Sequence, residues 1–244
     1  MESSDTVLAA HRAYLLGWNI GVAGEPDLPT YRSDVPHATL NGVLRVAGRT
    51  PQDALAEARQ RLHGVPRVWW VGPDSDPGTA DGLADLGAAE VARLPIMTVT
   101  IGEAADVPAP AGLDITETTD LDAFVPAYAR VSGIPADGVA ATIEREKAFT
   151  GDGTVIRLAG RLDDGRIVGT TVAWLSQGLV TLYFVGTQPE QRRRGIGAAM
   201  TSAALRLAAE RGAQTAALTS SPIGESVYRN LGFRPVGEFR LLTF

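Results

Sequence analysis

The sequence predicts an α/β fold of the α+β kind, built on a mixed sheet, in which part of one architecture occurs twice. Three observations carry this expectation. Residues 111–244 alternate strand-like and helix-like segments in the order β-α-α-β-β-β-α-β-α-β. A stretch rich in proline and small residues, "IGEAADVPAPAGLDI" (101–115), has no periodicity, and Pro108 and Pro110 favour an extended chain there. The ends of the two halves also align without a gap: "LGAAEVARLPIMTV" (86–99) falls on "LGFRPVGEFRLLTF" (231–244), matching Leu86, Gly87, Val91 and Thr98 to Leu231, Gly232, Val236 and Thr243. Extended backwards, Pro77 falls on Pro222 and "VWWVG" on "QTAAL". The expected organisation is a supporting domain at 1–105, a linker at 106–110 and a second domain at 111–244.

In the first half, "TVLAAHRAYLLGWNIGVA" (6–23) and "TPQDALAEARQRLHG" (50–64) read as helices, the latter with Thr50 as N-cap and Pro51 at the first helical position. "RVWWVGP" (67–73) and "RLPIMTVTI" (93–101) read as strands, with Trp69 and Trp70 facing opposite sides. In the second half "LDITETT" (113–119) is a strand, and "LDAFVPAYARVS" (121–132) is a helix that Pro126 either starts or kinks. "GVAATIEREKAF" (138–149) is a second helix. "TVIRLAGRL" (154–162) and "RIVGTTVAWL" (166–175) form a hairpin about "DDGR", and "LVTLYFVGT" (179–187) is the most β-rich stretch. "IGAAMTSAALRLAAERG" (196–212) puts Ile196, Met200 and Leu207 on one helical face and stops at Gly212. A short strand (215–221), a short helix (224–233) and a last strand (234–244) follow.

The 244 residues carry a net charge of −6, with 45% hydrophobic and 20% charged residues, an ordinary soluble composition. Nucleic-acid surfaces are ordinarily basic, so nucleic acid is not an expected partner. The absence of cysteine excludes disulfides, cysteine-based zinc sites and thiol catalysis. His11, His37 and His63 form no ligand spacing, and no metal site is expected. The opening residues start acidic and hold no long apolar run, unlike a secretory signal. No stretch approaches the roughly 18 apolar residues of a membrane span. The expectation is a cytoplasmic monomer or homodimer with no membrane partner.

The chemistry concentrates in "PEQRRRGIGAAM" (189–200). Gly195 and Gly197 remove side chains where a helix begins, and the first-turn amides there lack intrahelical acceptors and point outward. The helix dipole adds partial positive charge, which makes an anion site. Arg192, Arg193 and Arg194 add charges that reach phosphate oxygens. A Walker A loop would need Lys-Ser/Thr after its second glycine, and a dinucleotide fingerprint a third glycine where Met200 stands; neither is present.

Arg192-x-x-Gly195-x-Gly197, preceded by Pro189, resembles motif A of the GNAT superfamily of acyl-CoA-dependent N-acyltransferases, and "VYRNLGF" (227–233) resembles its motif B. The resemblance covers the whole second half. It implies an acetyltransferase that moves an acetyl group from acetyl-CoA to a primary amine, here of a small molecule, by direct transfer in a ternary complex. It also implies that amides from Arg193 to Ala198, Ile196 included, hold the pyrophosphate. Val185, Gly186 and Thr187 would pair with the pantetheine arm, and an amide near Val185 would polarise the thioester carbonyl. Tyr228 stands where the family commonly places its general acid. Ser221 stands where many relatives have a cofactor-facing asparagine, a departure that leaves its role open.

The general base stays open among Tyr183, Glu190 through water, and the carboxylate of Phe244, because "LVTLYFV" lacks the strand glutamate of some relatives. That gap keeps two alternatives in view: a non-catalytic acyl-CoA sensor and a protein-lysine acetyltransferase. The first half has no Arg-x-x-Gly-x-Gly, and Leu83 stands at the position repeating Tyr228. Its "DVPHATLNGVLRV" and "VWWVGPDSDP" resemble the leading half of two-part GNAT proteins, so it reads as a degenerate copy that helps shape the acceptor pocket. The chain also ends one strand after motif B, where relatives usually have two, and the first half is a candidate to fill that edge.

Overall fold

The structure, a computed structural model, describes residues 4–21 and 24–244. The first half contains α1 (Ser4–Leu16), β1 (Thr30–Arg32), β2 (Asn41–Val43), α2 (Pro51–Arg61), β3 (Val68–Val71), α3 (Thr79–Asp85) and β4 (Ala89–Thr100). The second contains β5 (Leu113–Glu117), α4 (Leu121–Ser132), α5 (Val139–Lys147), β6 (Thr154–Leu162), β7 (Ile167–Ser176), β8 (Leu179–Thr187), α6 (Ile196–Glu210), β9 (Thr215–Thr219), α7 (Glu225–Asn230) and β10 (Arg234–Thr243).

Local chemistry explains most boundaries. Thr50 caps α2 by accepting from the Asp53 amide at 3.1 Å, with Pro51 at the first position. Asp120 caps α4 through the Ala123 amide at 3.0 Å, and the helix runs on through Pro126 to a left-handed Gly133. The first helix stops at Leu16, short of its expected span; residues 22–23 of that span lie outside the described residues. A Cβ on Gly17 would come 2.5 Å from the Phe149 ring, so the chain turns against α5's far end there. The Ile20 amide then bonds to the Arg32 carbonyl at 2.7 Å.

The ten strands among the described residues form one mixed sheet in the order β1-β2-β3-β10-β4-β9-β8-β7-β6-β5. The last strands of the halves are exchanged: β4 lies between β9 and β10, and β10 between β3 and β4. The first half thus supplies β4 as the neighbour of β9. Leu94 faces Phe239, the positions that the sequence repeat equates, so a pseudo-twofold passes between them. The ladders around it agree: Leu241 faces Trp70 as Ile96 faces Thr219, and Leu242 faces Trp69 as Met97 faces Leu218. Trp70 therefore corresponds to Thr219, and the backward extension, which set "VWWVG" on "QTAAL" and so Trp70 on Ala216, is corrected at this strand. The 15 residues 71–85 correspond to the 11 residues 220–230, and that four-residue difference, spread over strand end, loop and helix, breaks the alignment.

One face of the sheet carries a cluster shared by both halves, with Tyr14, Trp70, Phe124, Tyr128, Trp174 and Phe239. The opposite face carries two clusters, one under α6 around Met200 and Phe233, the other under α2 and α3 around Trp69 and Leu83. The two tryptophans thus point to opposite faces, as strand alternation requires.

Candidate active site

β8 pairs in parallel with β9 over Leu179–Leu182 and Thr215–Leu218. Beyond that point the strands part, and among the described residues 183–187 keep β7 as their one ladder partner. A bulge sits at the parting. Thr170 faces Gly186 and Val172 faces Tyr183, so Phe184 and Val185 together oppose Thr171. Phe184 takes a φ of 47°, and its carbonyl accepts from Thr170 Oγ1 at 2.9 Å. Gly186 allows close packing, since a Cβ there would lie 2.4 Å from the Val131 side chain of α4.

The end of β8 leads to α6 through 188–195. Gly195 is the N-cap, at φ 77°, and offers no side chain to the first-turn amides of Ile196, Gly197 and Ala198. Arg193 also takes a positive φ, 62°, which costs a non-glycine residue about 1–2 kcal/mol. Two of the four positive-φ non-glycine residues described, Phe184 and Arg193, thus border the opening, as stored strain at a functional site would.

A cavity of about 650 Å³ fills this opening. Val185, Gly186, Thr187, Arg192, Arg193, Gly195, Ile196, Gly197, Ala198, Ser221 and Tyr228 all line it. Arg194 is exposed and stands outside the lining. A second cavity of about 310 Å³ meets the first at Val185, Ser221 and Tyr228. Its walls include His11, Tyr14 and Leu15 of α1, His37, Thr39 and Leu40, Trp70 of β3 and Leu94 of β4, with Tyr183 and Phe184 opposite.

Residues 129–233 match the model of the Acetyltransferase (GNAT) family. That stretch belongs to the GNAT family. The whole chain is similar in backbone to a GCN5-related N-acetyltransferase from Kribbella flavida, with a TM-score of 0.73 and 24% identity, covering 100% of this chain and 96% of that one. It is also similar to a tandem GNAT protein from the clavulanic acid biosynthesis pathway, with a TM-score of 0.61 and 15% identity, covering 99% of this chain and 95% of that one. A GCN5-related N-acetyltransferase from Sphaerobacter thermophilus gives a TM-score of 0.62 at 20% identity, covering 79% of this chain and 65% of that one. No curated protein matches in sequence. The fold is GNAT-like over the full length, in tandem form, and among the described residues no helix is long and apolar enough to cross a membrane.

In this GNAT frame, Tyr228 is 9% exposed and packs edge-on against Phe233, with ring centroids 5.8 Å apart. Burial pushes its phenol up to about 12. The three candidate bases separate. Glu190 is exposed and pairs with Arg130 at 2.5 Å, outside both cavities. Phe244 sits against Trp69 with the Arg67 guanidinium 4.5 Å from its ring, in the cluster under α2. Tyr183 does line the second cavity, stacked on Tyr14 at 3.6 Å, but burial raises its pKa well above the ordinary value and keeps it protonated.

Sequence reasoning passed over His11. It is 4% exposed, its Nδ1 lies 3.4 Å from Tyr183 Oη, and its Nε2 has no hydrogen-bond partner among the described residues. Burial, then the neighbouring Arg12, lower its pKa to about 3, so the imidazole is neutral. A lone histidine on a helix gives no local signal of such a position; the fold of the first half onto β8 creates it.

Proposed function

We propose that the chain is an acyl-CoA-dependent N-acetyltransferase whose second half, 111–244, binds acetyl-CoA and whose first half, 1–105, walls the pocket of a small primary amine. The observation that carries this reading is the meeting of two cavities at Val185, Ser221 and Tyr228. The larger cavity fits the donor, because uncapped amides and two arginines meet there at a helix start, the chemistry that a pyrophosphate requires.

Acetyl-CoA supplies an activated acyl group as a thioester. The amides from Arg193 to Ala198 bind its phosphates, with Arg192 and Arg193 screening the charge. The unpaired edge at Val185–Thr187 aligns the pantetheine arm as an added strand would. The amide at Val185 donates to the thioester carbonyl oxygen and makes its carbon electrophilic. The amine nitrogen bonds to that carbon, the carbon–sulfur bond breaks, and the electron pair leaves on sulfur. The nitrogen loses one proton to solvent water, and the sulfur leaves as a thiolate that later takes a proton from solvent. Tyr228 stays protonated at neutral pH and donates to the departing sulfur. A phenol near 12 is a weaker acid than a thiol of about 8.5, so this hydrogen bond stabilises the thiolate rather than fully protonating it.

The test is release of free CoA over a panel of amines, alongside acetyl-CoA binding by calorimetry. Amine-dependent release supports the proposal. Tight binding with no release on any amine refutes it in favour of an acyl-CoA sensor, and release on protein lysines alone assigns the pocket to a macromolecule.

A further inference from the structure

The acceptor cavity has a chemical character that the acyl-transfer reading does not specify. Among the described residues, no aspartate, glutamate, lysine or arginine lines it. Its walls are aromatic and aliphatic, with Tyr14, Trp70 and Tyr183 among the rings and Leu40 and Leu94 beside them. Glu146, the buried carboxylate among the described residues, is engaged by Tyr128 at 2.9 Å and by both Nε and an Nη of Arg157. The two histidines in the wall are held neutral by burial. The other polar groups of the wall are uncharged: hydroxyls of Tyr228, Ser221, Ser132, Thr219 and Thr39, the last bonded to His37 at 3.0 Å, and an imidazole nitrogen of His11 without a hydrogen-bond partner. At about 310 Å³ the space is at the small end of small-molecule pockets.

These walls exclude by charge. A polyamine or aminosugar brings further ammonium groups, which need carboxylates when desolvated. An amino acid brings a carboxylate, which needs arginine or lysine. Burying either group unpaired is costly. Aromatic faces instead bind apolar rings, and uncharged surroundings favour the free base of an amine, whose lone pair is the nucleophile.

We propose that the acceptor is an arylalkyl amine with one amino group and an otherwise uncharged body, its ring held by Trp70, Tyr14 and Leu94 and its nitrogen directed to Val185 and Tyr228. The proposal rests on the acyl-transfer reading for its chemistry, but its binding component is independently measurable.

The experiment compares benzylamine and phenethylamine with spermidine and free lysine on the full chain. Turnover is read as CoA release, and binding to the CoA-loaded protein by calorimetry. The expected result is a kcat/KM for the aryl amines at least about 100-fold above that for spermidine or lysine. In Leu94→Glu, which places a carboxylate in a partly exposed part of the wall, the ratio should fall at least about tenfold towards spermidine. Trp70→Ala should weaken aryl-amine binding at least about tenfold, with folding checked by circular dichroism. Spermidine or lysine turned over better than the aryl amines overturns the acceptor class and leaves acyl transfer standing. Aryl-amine binding that Trp70→Ala weakens, with no turnover on any amine, supports the acceptor class and overturns acyl transfer. Absence of aryl-amine binding overturns the proposal.

Discussion

Replacing His11 by glutamine tests whether the wall of the acceptor cavity is dry and neutral. In the folded chain burial, assisted by Arg12, lowers the imidazole from 6.5 to about 3. In the unfolded chain it titrates near its ordinary value of about 6.5. Between those values the unfolded state binds the extra proton, so stability rises with pH. This contribution is fully present above about pH 6.5 and is lost as pH falls towards 3. Between about pH 7.5 and pH 5 the loss from His11 alone is about 2 kcal/mol. Urea melts at those two pH values should show the unsubstituted protein losing about 2 kcal/mol more than His11→Gln. Other groups titrating in that window, His37 among them, cancel in the comparison. Equal losses in the two proteins would mean a hydrated imidazole and would refute the reasoning.

Three further outcomes are expected. Gly197→Trp should abolish CoA binding in calorimetry while leaving the circular dichroism spectrum unchanged, because an indole would occupy the cavity at the start of α6; retained affinity would sink the cradle assignment. Tyr228→Phe should lower kcat about 100-fold with CoA affinity within about twofold, the scale of one proton-donating group; unchanged kcat would return Tyr228 to a packing role. Arg157→Ala should cost about 3 kcal/mol in a urea melt, since it leaves the Glu146 carboxylate, 5% exposed, with Tyr128 as its remaining partner in the cluster; a loss below about 1 kcal/mol would show that water replaces the guanidinium.

The second half was largely legible in the sequence because its elements are long. The helix at 121–132 and the strands at 154–162 and 179–187 have the bounds that periodicity indicates. The first half was less legible where structure depends on distant contacts. β1 and β2 have three residues each, too few to display a period. Their connection is organised by Asn41, which is fully buried. Its amide donates to Val35, His37 and Pro66 carbonyls at 2.9–3.1 Å, and its oxygen accepts from the Ser33 amide at 2.9 Å. Three of those partners lie within eight residues, but no periodicity marks them, and the fourth, Pro66, is 25 residues away. The same division holds at the site. The glycines and arginines of the larger cavity lie within one short segment and announce it. Tyr14, Trp70 and Leu94 are apolar residues of ordinary appearance that become a pocket through tertiary contact.

The strand exchange gives a physical reason why a half without a cradle is retained. In the first half Leu83, at the position repeating Tyr228, is fully buried on the inner side of α3, packed in the cluster with Trp69 rather than at a cavity of the Tyr228 kind. Its strand β4 nevertheless supplies Ile96, Met97 and Val99 to the buried clusters beside β9, and β10 returns Leu241 and Leu242 to the ladder with β3. Removing either half would leave the other with a strand missing from the interior of its sheet, exposing backbone donors and acceptors that now pair on both sides. The exchange also places the pseudo-twofold at Leu94 and Phe239, beside the acceptor cavity. Leu94 lines that cavity, and Phe239 packs 4.8 Å from the His11 ring. A first half bound to the sheet in this way can vary Tyr14, Trp70 or Leu94 in the smaller cavity without altering the segment 192–198 that leads into α6. The smaller cavity thus draws its walls from both halves, whereas the larger one is lined by the second half alone.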